Sequence, residues 1–438
     1  MTNREFHISV VAASRNDDHG GGLLNRMQQF IDGFVIQCKR HDLNAELIIV
    51  EWNPPSDRKP LAEVLHFPKD KGPCSIRIIT VSSQLHAKLA HADQLPLFQM
   101  IAKNVGIRRA HGRYVLATNI DILFSDETIK FIRTQLKPGK LYRVDRVDVP
   151  TETQVNNDFD KTLLFCEKNK FRIHNKYGSF IKVNNHWESS TVKRRKLKLQ
   201  AALLDYKKEL MSLLAIDRWL KKIIRYVLWV CRRIIAKKFY LTLIIRLHKI
   251  HFNSINEHIG VRTRRVIAHF KLIVHTMIPS ERIMKSLKAL KVLLGNYFKR
   301  TRNKLLHVTL HTNGCGDFTL LSRKDWFELR GYPEWEIFSW HIDSVLLYQA
   351  NRNGIKEIDL PKHMPIYHIE HSVGSGYTPE GTEQLFGRIE AKKLRYLDWS
   401  SFLQVVKEMD ELKSQGKAVC YNNDAWGFAT ESLTETWV

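Results

Sequence analysis

The 438-residue sequence has no Cys-x-x-Cys pair, no apolar run long enough to cross a bilayer and, between residues 193 and 304, almost no acids. Each lack excludes something. The six cysteines, Cys38, Cys74, Cys166, Cys231, Cys315 and Cys420, are scattered, so neither a zinc site nor a disulfide framework is suggested and a reducing compartment is expected. The opening residues run directly into a strand without a secretory apolar segment, which makes the cytoplasm the expected location. A membrane-spanning helix needs about 20 apolar residues. Phe239 to Ile245 is too short for that, and Arg232, Arg233, Lys237 and Lys238 interrupt the longest candidate.

The shortage of acids is local. From Lys193 to Lys304 there are 29 Lys and Arg against 5 Asp and Glu, an excess equal to the formal net charge of the whole chain, +24. The remainder is balanced at 40 of each sign, so the basic character belongs to one insert and implies a local partner. Within it, Trp219, Leu220, Ile223, Ile224, Val227, Leu228, Cys231, Ile234 and Ile235 fall at helical spacing, with Lys221, Lys222, Arg225, Arg232 and Arg233 off that stripe. Peripheral contact with an anionic membrane surface through 193–304 fits best, because each nearby Lys or Arg contributes about 1 kcal/mol there. A helical lid with a solvated basic face is the plainer alternative. Nucleic acid is disfavoured, since the charges share their helices with a broad apolar face and no nucleic-acid signature accompanies them.

Outside the insert the chain has a strand–helix rhythm, and its length suggests two or three domains at about 150 residues each. Phe6 to Ala13 reads as a strand closed by Ser14-Arg15-Asn16-Asp17-Asp18-His19-Gly20-Gly21-Gly22, a turn whose backbone N–H groups and Arg15 can face an anion. Helix Leu24 to Arg40 follows. Strand Glu46 to Val50 then ends at Glu51-Trp52-Asn53-Pro54-Pro55, where proline forbids continuation. Strand Ile76 to Val81 and helix Leu97 to Ala110 lead into Tyr114 to Ala117, a short apolar strand that ends in Asn119-Ile120-Asp121. In open α/β sheets, ligands sit beyond the carboxyl ends of strands, so Asp121 is placed to hold a divalent ion over phosphate oxygens. Ser125 and Asp126 already cap the next helix, so capping does not require Asp121.

Val10-Val11-Ala12-Ala13-Ser14-Arg15-Asn16, Ile49-Val50-Glu51, the helix Lys103-Asn104-Val105-Gly106-Ile107-Arg108-Arg109-Ala110-His111-Gly112 and the Asn119-Ile120-Asp121 triplet together resemble a GT-A type glycosyltransferase. In that fold an Asn-x-Gly-x-x-x-Ala-x-Gly helix precedes the strand bearing the D-x-D metal motif. The resemblance implies a Rossmann-like mixed, mostly parallel α/β sheet flanked by helices, here with a long α-helical insert. It implies nucleotide-sugar binding by Ser14, Arg15, Glu51, Asn53, Lys103, Asn119, Ile120 and Asp121. The first carboxylate of D-x-D is Asn119 here, which leaves Asp121 to carry the metal role, for Mn²⁺ or Mg²⁺.

After the triplet, Leu141 to Pro150 alternates as a half-exposed strand, and Arg143, Asp145, Arg146 and Asp148 read as a solvated ion network or as groups for sugar hydroxyls. Helices are expected from Asp160 to Leu310. His311 to Glu334 is similar to the acceptor-side segment of the same enzymes, with Gly314 and Gly316 allowing close approach and Gly316 and Asp317 placed for acceptor binding. Inverting members commonly have Glu-Asp before the next helix. Here Trp340-His341 replaces it, and Asp343 or His341 is the candidate base, with helix capping the alternative for Asp343. A histidine after the acceptor segment often completes the metal site, and His368 or His371 matches by position. The Gly374 to Pro379 loop reads as a cover for the donor.

The expected organisation is therefore a nucleotide-sugar-binding half (1–157), the basic insert (158–310), an acceptor-side half (311–400) and a C-terminal helix and tail (401–438). The expected activity is metal-assisted transfer from a nucleotide-diphosphate sugar, UDP-sugar favoured, to a hydroxyl acceptor, possible at a membrane through the insert. The alternatives are a catalytically silent membrane-binding relative and a nucleotidyltransferase; the latter lacks its Gly-rich, Lys/Arg-bearing phosphate loop.

Overall fold

In the computed structural model, which describes residues 5–155, 158–189, 310–371 and 382–438, the apolar runs form the centre of a mixed sheet. β1 (Phe6–Ser14), β2 (Ala45–Trp52), β3 (Cys74–Val81) and β4 (Gly112–Thr118) are parallel and lie in the order β3-β2-β1-β4. Being covered on both faces, they are apolar almost throughout. Ile8, Val10 and Ala12 pack toward α1 (Leu23–His41), while Val11 and Ala13 pack toward the helix after β3. Two single-turn helices, α2 (Leu61–Val64) and α3 (Ser83–His86), precede that helix, α4 (Gln99–Arg108). The strand order reverses between β1 and β4, so a crevice lies beyond the carboxyl ends of these two strands.

Among the described residues the sheet has eight strands. β6 (Lys140–Arg143), β11 (Phe318–Ser322) and β12 (Lys356–Asp359) extend it beyond β4 as β4-β11-β6-β12, with β11 antiparallel to its neighbours. β14 (Thr434–Trp437) covers the opposite edge, antiparallel to β3. α5 (Asp126–Thr134) starts at Ser125, whose hydroxyl accepts from the Thr128 N–H. α7 (Arg323–Leu329), α8 (Ile342–Arg352), α9 (Thr382–Ala391) and α10 (Trp399–Ser414) complete the acceptor-side segment and the C-terminal part. The described residues belong to one unit formed by 1–195 together with 309–438. No helix among them is long and apolar enough to cross a membrane. The amphipathic stretch and the membrane contact expected through 193–304 lie outside the described residues, as does the Gly374 to Pro379 loop.

A second sheet, of six strands among the described residues in the order β10-β9-β8-β7-β13-β5, is built from β5 (Ile122–Phe124), β7 (Arg146–Val149), β8 (Arg172–Asn175), β9 (Gly178–Val183), β10 (His186–Ser189) and β13 (Ile366–Ile369). Two expectations are corrected by it. Leu141 to Pro150 is two strands, β6 in the large sheet and β7 in the small one. Residues 172–189 form antiparallel strands where helices were expected; the described helical part is α6 (Phe159–Asn169). The signal was Asn184-Asn185, both with positive φ (48° and 62°), which make a two-residue hairpin turn between β9 and β10. The polar and apolar alternation of β7 is real. Val147 and Val149 join Leu123, Tyr367, Ile369 and Cys166 of α6 in an apolar cluster, but the polar face is buried too. Arg143 and Asp148 are both 0% exposed, so the solvated ion network is overturned.

The Asn104 to Gly112 segment shows why its small residues are spaced as they are. The Asn104 side-chain amide clamps the backbone of Tyr332, donating to its carbonyl and accepting from its N–H, both at 2.8 Å. A Cβ on Gly106 would stand 2.5 Å from Val11 Cγ1, and one on Gly112 would stand 2.5 Å from the Ile8 carbonyl carbon. These contacts seat α4 and start β4 in register with β1. Gly106→Ala is expected to destabilise the protein by about 1–3 kcal/mol through overpacking. Gly112→Ala should cost more, because backbone cannot rotate aside as Val11 can. Urea denaturation midpoints of the two variants test this, and equal midpoints for both and the parent would remove the account.

Candidate active site

The site is assembled by backbone pairing. β13 lies between β5 and β7, with His368 opposite Ile122 on one side and Asp148 on the other. One step along, the Ile369 N–H donates to the Asp121 carbonyl at 2.9 Å. This register delivers His368 beside Asp121, at the carboxyl end of β4 and next to the crevice where the strand order reverses. On β8, Arg172 stands opposite Asp148 and His174 opposite Arg146, so the polar face of the small sheet carries a continuous set of charged groups.

Asp121 Oδ2 is 3.1 Å from His371 Nε2 and 3.6 Å from His368 Nε2. These three residues offer ligand atoms within 4.8 Å of one another. The second carboxylate oxygen, Oδ1, is buried and has no hydrogen-bond partner among the described residues. A buried orphan oxygen is costly unless something takes it up, and a divalent cation fits the carboxylate and its two imidazoles. Burial pushes the Asp121 carboxyl up, but His368 and His371 hold it well below the usual range. A second grouping, Asp148, His368 and Glu370, is already satisfied by arginine: Arg172 Nη1 is 2.6 Å from Asp148 and 2.8 Å from Glu370. Asp148 instead stands behind the first group, with Oδ1 3.3 Å from His368 Nδ1 and Arg146 Nη2 nearer to the same nitrogen, at 2.9 Å.

Around this centre runs a chain of buried polar contacts. Arg146 binds Asp148 through Nε at 2.7 Å and Asp317 through Nη1 at 2.8 Å, and its Nη2 comes within 2.9 Å of His368 Nδ1. Asp317 also receives the Asn119 amide. Lys103, fully buried on α4, donates to Asn119 Oδ1 and to the Gly316 carbonyl, both at 2.7 Å. Burial pushes its pKa down to about 8, with Asp317, Asp343 and Asp121 opposing that shift. Asp343, in the first turn of α8, accepts from the Ser344 N–H at 2.7 Å, and its Oδ2 would be 3.2 Å from a Cβ on Gly316.

Thus Lys103, Asn119, Asp121, Gly316, Asp317, Asp343 and His368 converge, and His371 joins them. Ile120, 7% exposed, packs into the core beside them. Other expected residues have partners of their own. Glu51 turns inward, accepting from the Leu61 N–H at 2.8 Å, and burial raises its pKa. Arg15 ties the ends of β1 and β2 by donating to the Asn53 carbonyl at 2.7 Å, while Asn53 reaches Pro96 and Ser14 donates to Met27 Sδ. His341 stacks on Phe402 with ring centroids 5.1 Å apart, and burial lowers its pKa. Its φ of 65° is uncommon for a bulky residue and marks the N-cap of α8 as held by that packing.

Sequence reasoning missed Arg26. It is 2% exposed, its Nη2 donates to the His19 carbonyl at 2.7 Å and its Nη1 to the Gly21 carbonyl, holding a turn in which Gly20, Gly21 and Gly22 all have positive φ. Gly20 abuts His371, where a Cβ would be 2.8 Å from Nδ1. The available signal was a charge between Leu23 and Met27 on the buried stripe of α1. Arg172 and His174 were hidden by the helical expectation for their segment. No protein-family model matches the chain, and no curated protein matches it.

The electrostatics make a pH prediction. Burial and Arg146 push the His368 imidazole down, but Asp121 and Asp148 outweigh them and raise its pKa from 6.5 to about 9. The folded protein therefore keeps this proton to higher pH than the unfolded chain. Its stabilisation is complete below the unfolded value near 6.5 and is lost as pH rises through about 9. Asp121 and Asp148, held low, contribute above the ordinary carboxylate range and lose that contribution as acid protonates them. In metal-free protein, His368→Gln should lower the melting temperature most near pH ~6 and least near pH ~10. A bound ion must displace the proton, so Mn²⁺ affinity should rise about tenfold per pH unit across that range. Calorimetric titration at several pH values checks it, and an affinity that does not change with pH would exclude His368 as a ligand.

Proposed function

We propose that the chain is a metal-assisted glycosyltransferase of GT-A type, moving a sugar from a nucleotide-diphosphate sugar, UDP-sugar favoured, to a hydroxyl acceptor. The observation that carries the reading is Asp121: a buried carboxylate with one oxygen unpartnered among the described residues, joined by His368 and His371 beyond the end of β4. That is where an open α/β sheet receives its ligand. The mixed, mostly parallel eight-stranded sheet supports the fold part of the reading. The donor set of two imidazoles and one carboxylate suits Mn²⁺ better than Mg²⁺, which prefers oxygen ligands.

When bound, the ion would supply positive charge to the leaving diphosphate. Asp121, His368 and His371 would hold it, with Arg146 and Asp148 together fixing the far side of the His368 ring. Transfer also needs a base for the acceptor hydroxyl. Asp343 is the better candidate, because its Oδ2 borders Gly316 and the buried Lys103 lies close by, whereas the His341 ring is occupied by stacking on Phe402. A membrane-proximal acceptor remains part of the proposal on composition alone, from the +24 excess between 193 and 304.

Thermal stabilisation by a panel of UDP- and GDP-sugars, with and without Mn²⁺, tests the donor site. A ligand at 100 times its dissociation constant should add about 2.7 kcal/mol. That increment should require Mn²⁺ and vanish in Asp121→Asn. A parent protein that responds to none of the panel would sink the transferase reading and leave the catalytically silent one. Once a donor is known, Asp343→Asn should lower kcat by about 10²–10⁴-fold while the donor dissociation constant holds. A variant that keeps its kcat would remove Asp343 as the base.

A further inference from the structure

Asn119 occupies the position where the resemblance implies a first carboxylate, and its contacts give it a defined job. Its Oδ1 accepts from Lys103 Nζ at 2.7 Å and from Gln99 Nε2 at 3.0 Å. The amide oxygen is therefore committed, and Nδ2 is the atom turned to Asp317 Oδ1. A flipped amide would set its carbonyl against a carboxylate and its NH₂ against an ammonium, so the orientation is determined from both sides. Asp317 Oδ2 takes Arg146 Nη1 at 2.8 Å. Among the described residues each oxygen of this buried carboxylate thus has one fixed side-chain donor, which leaves acceptor capacity on both.

We propose that Asp317, in place of the acceptor role expected from its position in the sequence, is the second acid of the donor site, supplied from the turn before β11, and that it accepts a hydroxyl of the sugar moiety bound beside Asp121, with Asn119 as its positioning residue. The inference rests on the transferase reading. A carboxylate repels a diphosphate, so the Asp317 side of Asp121 suits the sugar, and the phosphates belong with the ion. Asp317 also lies outside the three-residue group that offers metal ligands, which leaves a neutral hydroxyl donor as its fitting ligand. Asn119 is then an amide for a reason: an acid at 119 would face Asp317 directly, and the two negative charges would displace each other. The Asn-x-Asp triplet becomes a relocated acid pair, with its second member nearly two hundred residues along the chain.

The experiment is calorimetric titration of the full chain, in Mn²⁺, with UDP and with the UDP-sugar that stabilises it most. Asp317→Asn, which is nearly isosteric, should bind UDP within about twofold of the parent but the UDP-sugar at least about tenfold more weakly. Asn119→Asp should lose the same sugar increment. The exchanged variant Asn119→Asp/Asp317→Asn keeps an amide against a carboxylate and gives Lys103 the carboxylate that Arg146 loses, so it should still fold cooperatively yet fail to regain the increment. Three results would overturn the inference while leaving the transferase reading intact: an unchanged UDP to UDP-sugar ratio in Asp317→Asn, tighter binding by Asn119→Asp as a repaired metal motif would show, or full rescue by the exchanged variant. A parent that binds neither UDP nor any UDP-sugar overturns both.

Discussion

The pairing of β13 with β5 on one side and β7 on the other is the constraint on which the candidate site depends. Each strand of this trio is short, and alone none would hold its place. Hydrogen-bonded together, they bring residues from three separated parts of the chain into one row: Asp121 before β5, Asp148 on β7 and His368 on β13. A slip of one residue would turn His368 toward the apolar cluster of Leu123, Val147 and Tyr367 and take its imidazole away from Asp121. The apolar face penalises that slip, so the packing beneath the site also sets its chemistry.

Charge alternation then keeps the polar row buried. Asp121, His368, Asp148 and Arg146 succeed one another, Arg146 passes to Asp317, and Asn119 links Asp317 to Lys103. Such networks rarely add much net stability, because desolvation offsets most of the attraction. What they provide is a single arrangement, since removing any partner strands a charge away from water. Lys103 illustrates the balance. Burial drives its pKa down to about 8, and three nearby carboxylates limit the fall.

The parts legible in the sequence were those set by local periodicity. The four parallel strands, α1, α4 and the Ser125 cap of α5 follow from apolar spacing and turn chemistry, and Asp121 stood out because it ends a buried strand. Asp317, Asp343 and His368 could be named by position within a resemblance. What could not be read was long-range register. Nothing local distinguishes a polar face that meets water from one that meets another segment, and so Arg146 and Asp148 read as solvated. Glu51 also sits at a strand end, yet a neighbouring backbone N–H, that of Leu61, takes its carboxylate. The β8 to β10 strands were obscured because the basic insert next to them biased the whole interval toward helix, although Asn184-Asn185 signalled a hairpin.

The position of β11 has a consequence for biosynthesis. It pairs with both β4 and β6, yet residues 190–317 separate it from β10 in the chain. A ribosome adding about 5–20 residues per second needs on the order of ten seconds to cross that interval. Until it is crossed, β11 is not available to cover the β4 edge, and unpaired edges template association with other chains. Newly made protein therefore passes through a timed interval of vulnerability at this edge, set by the length of its basic insert, in which holding by a chaperone would matter.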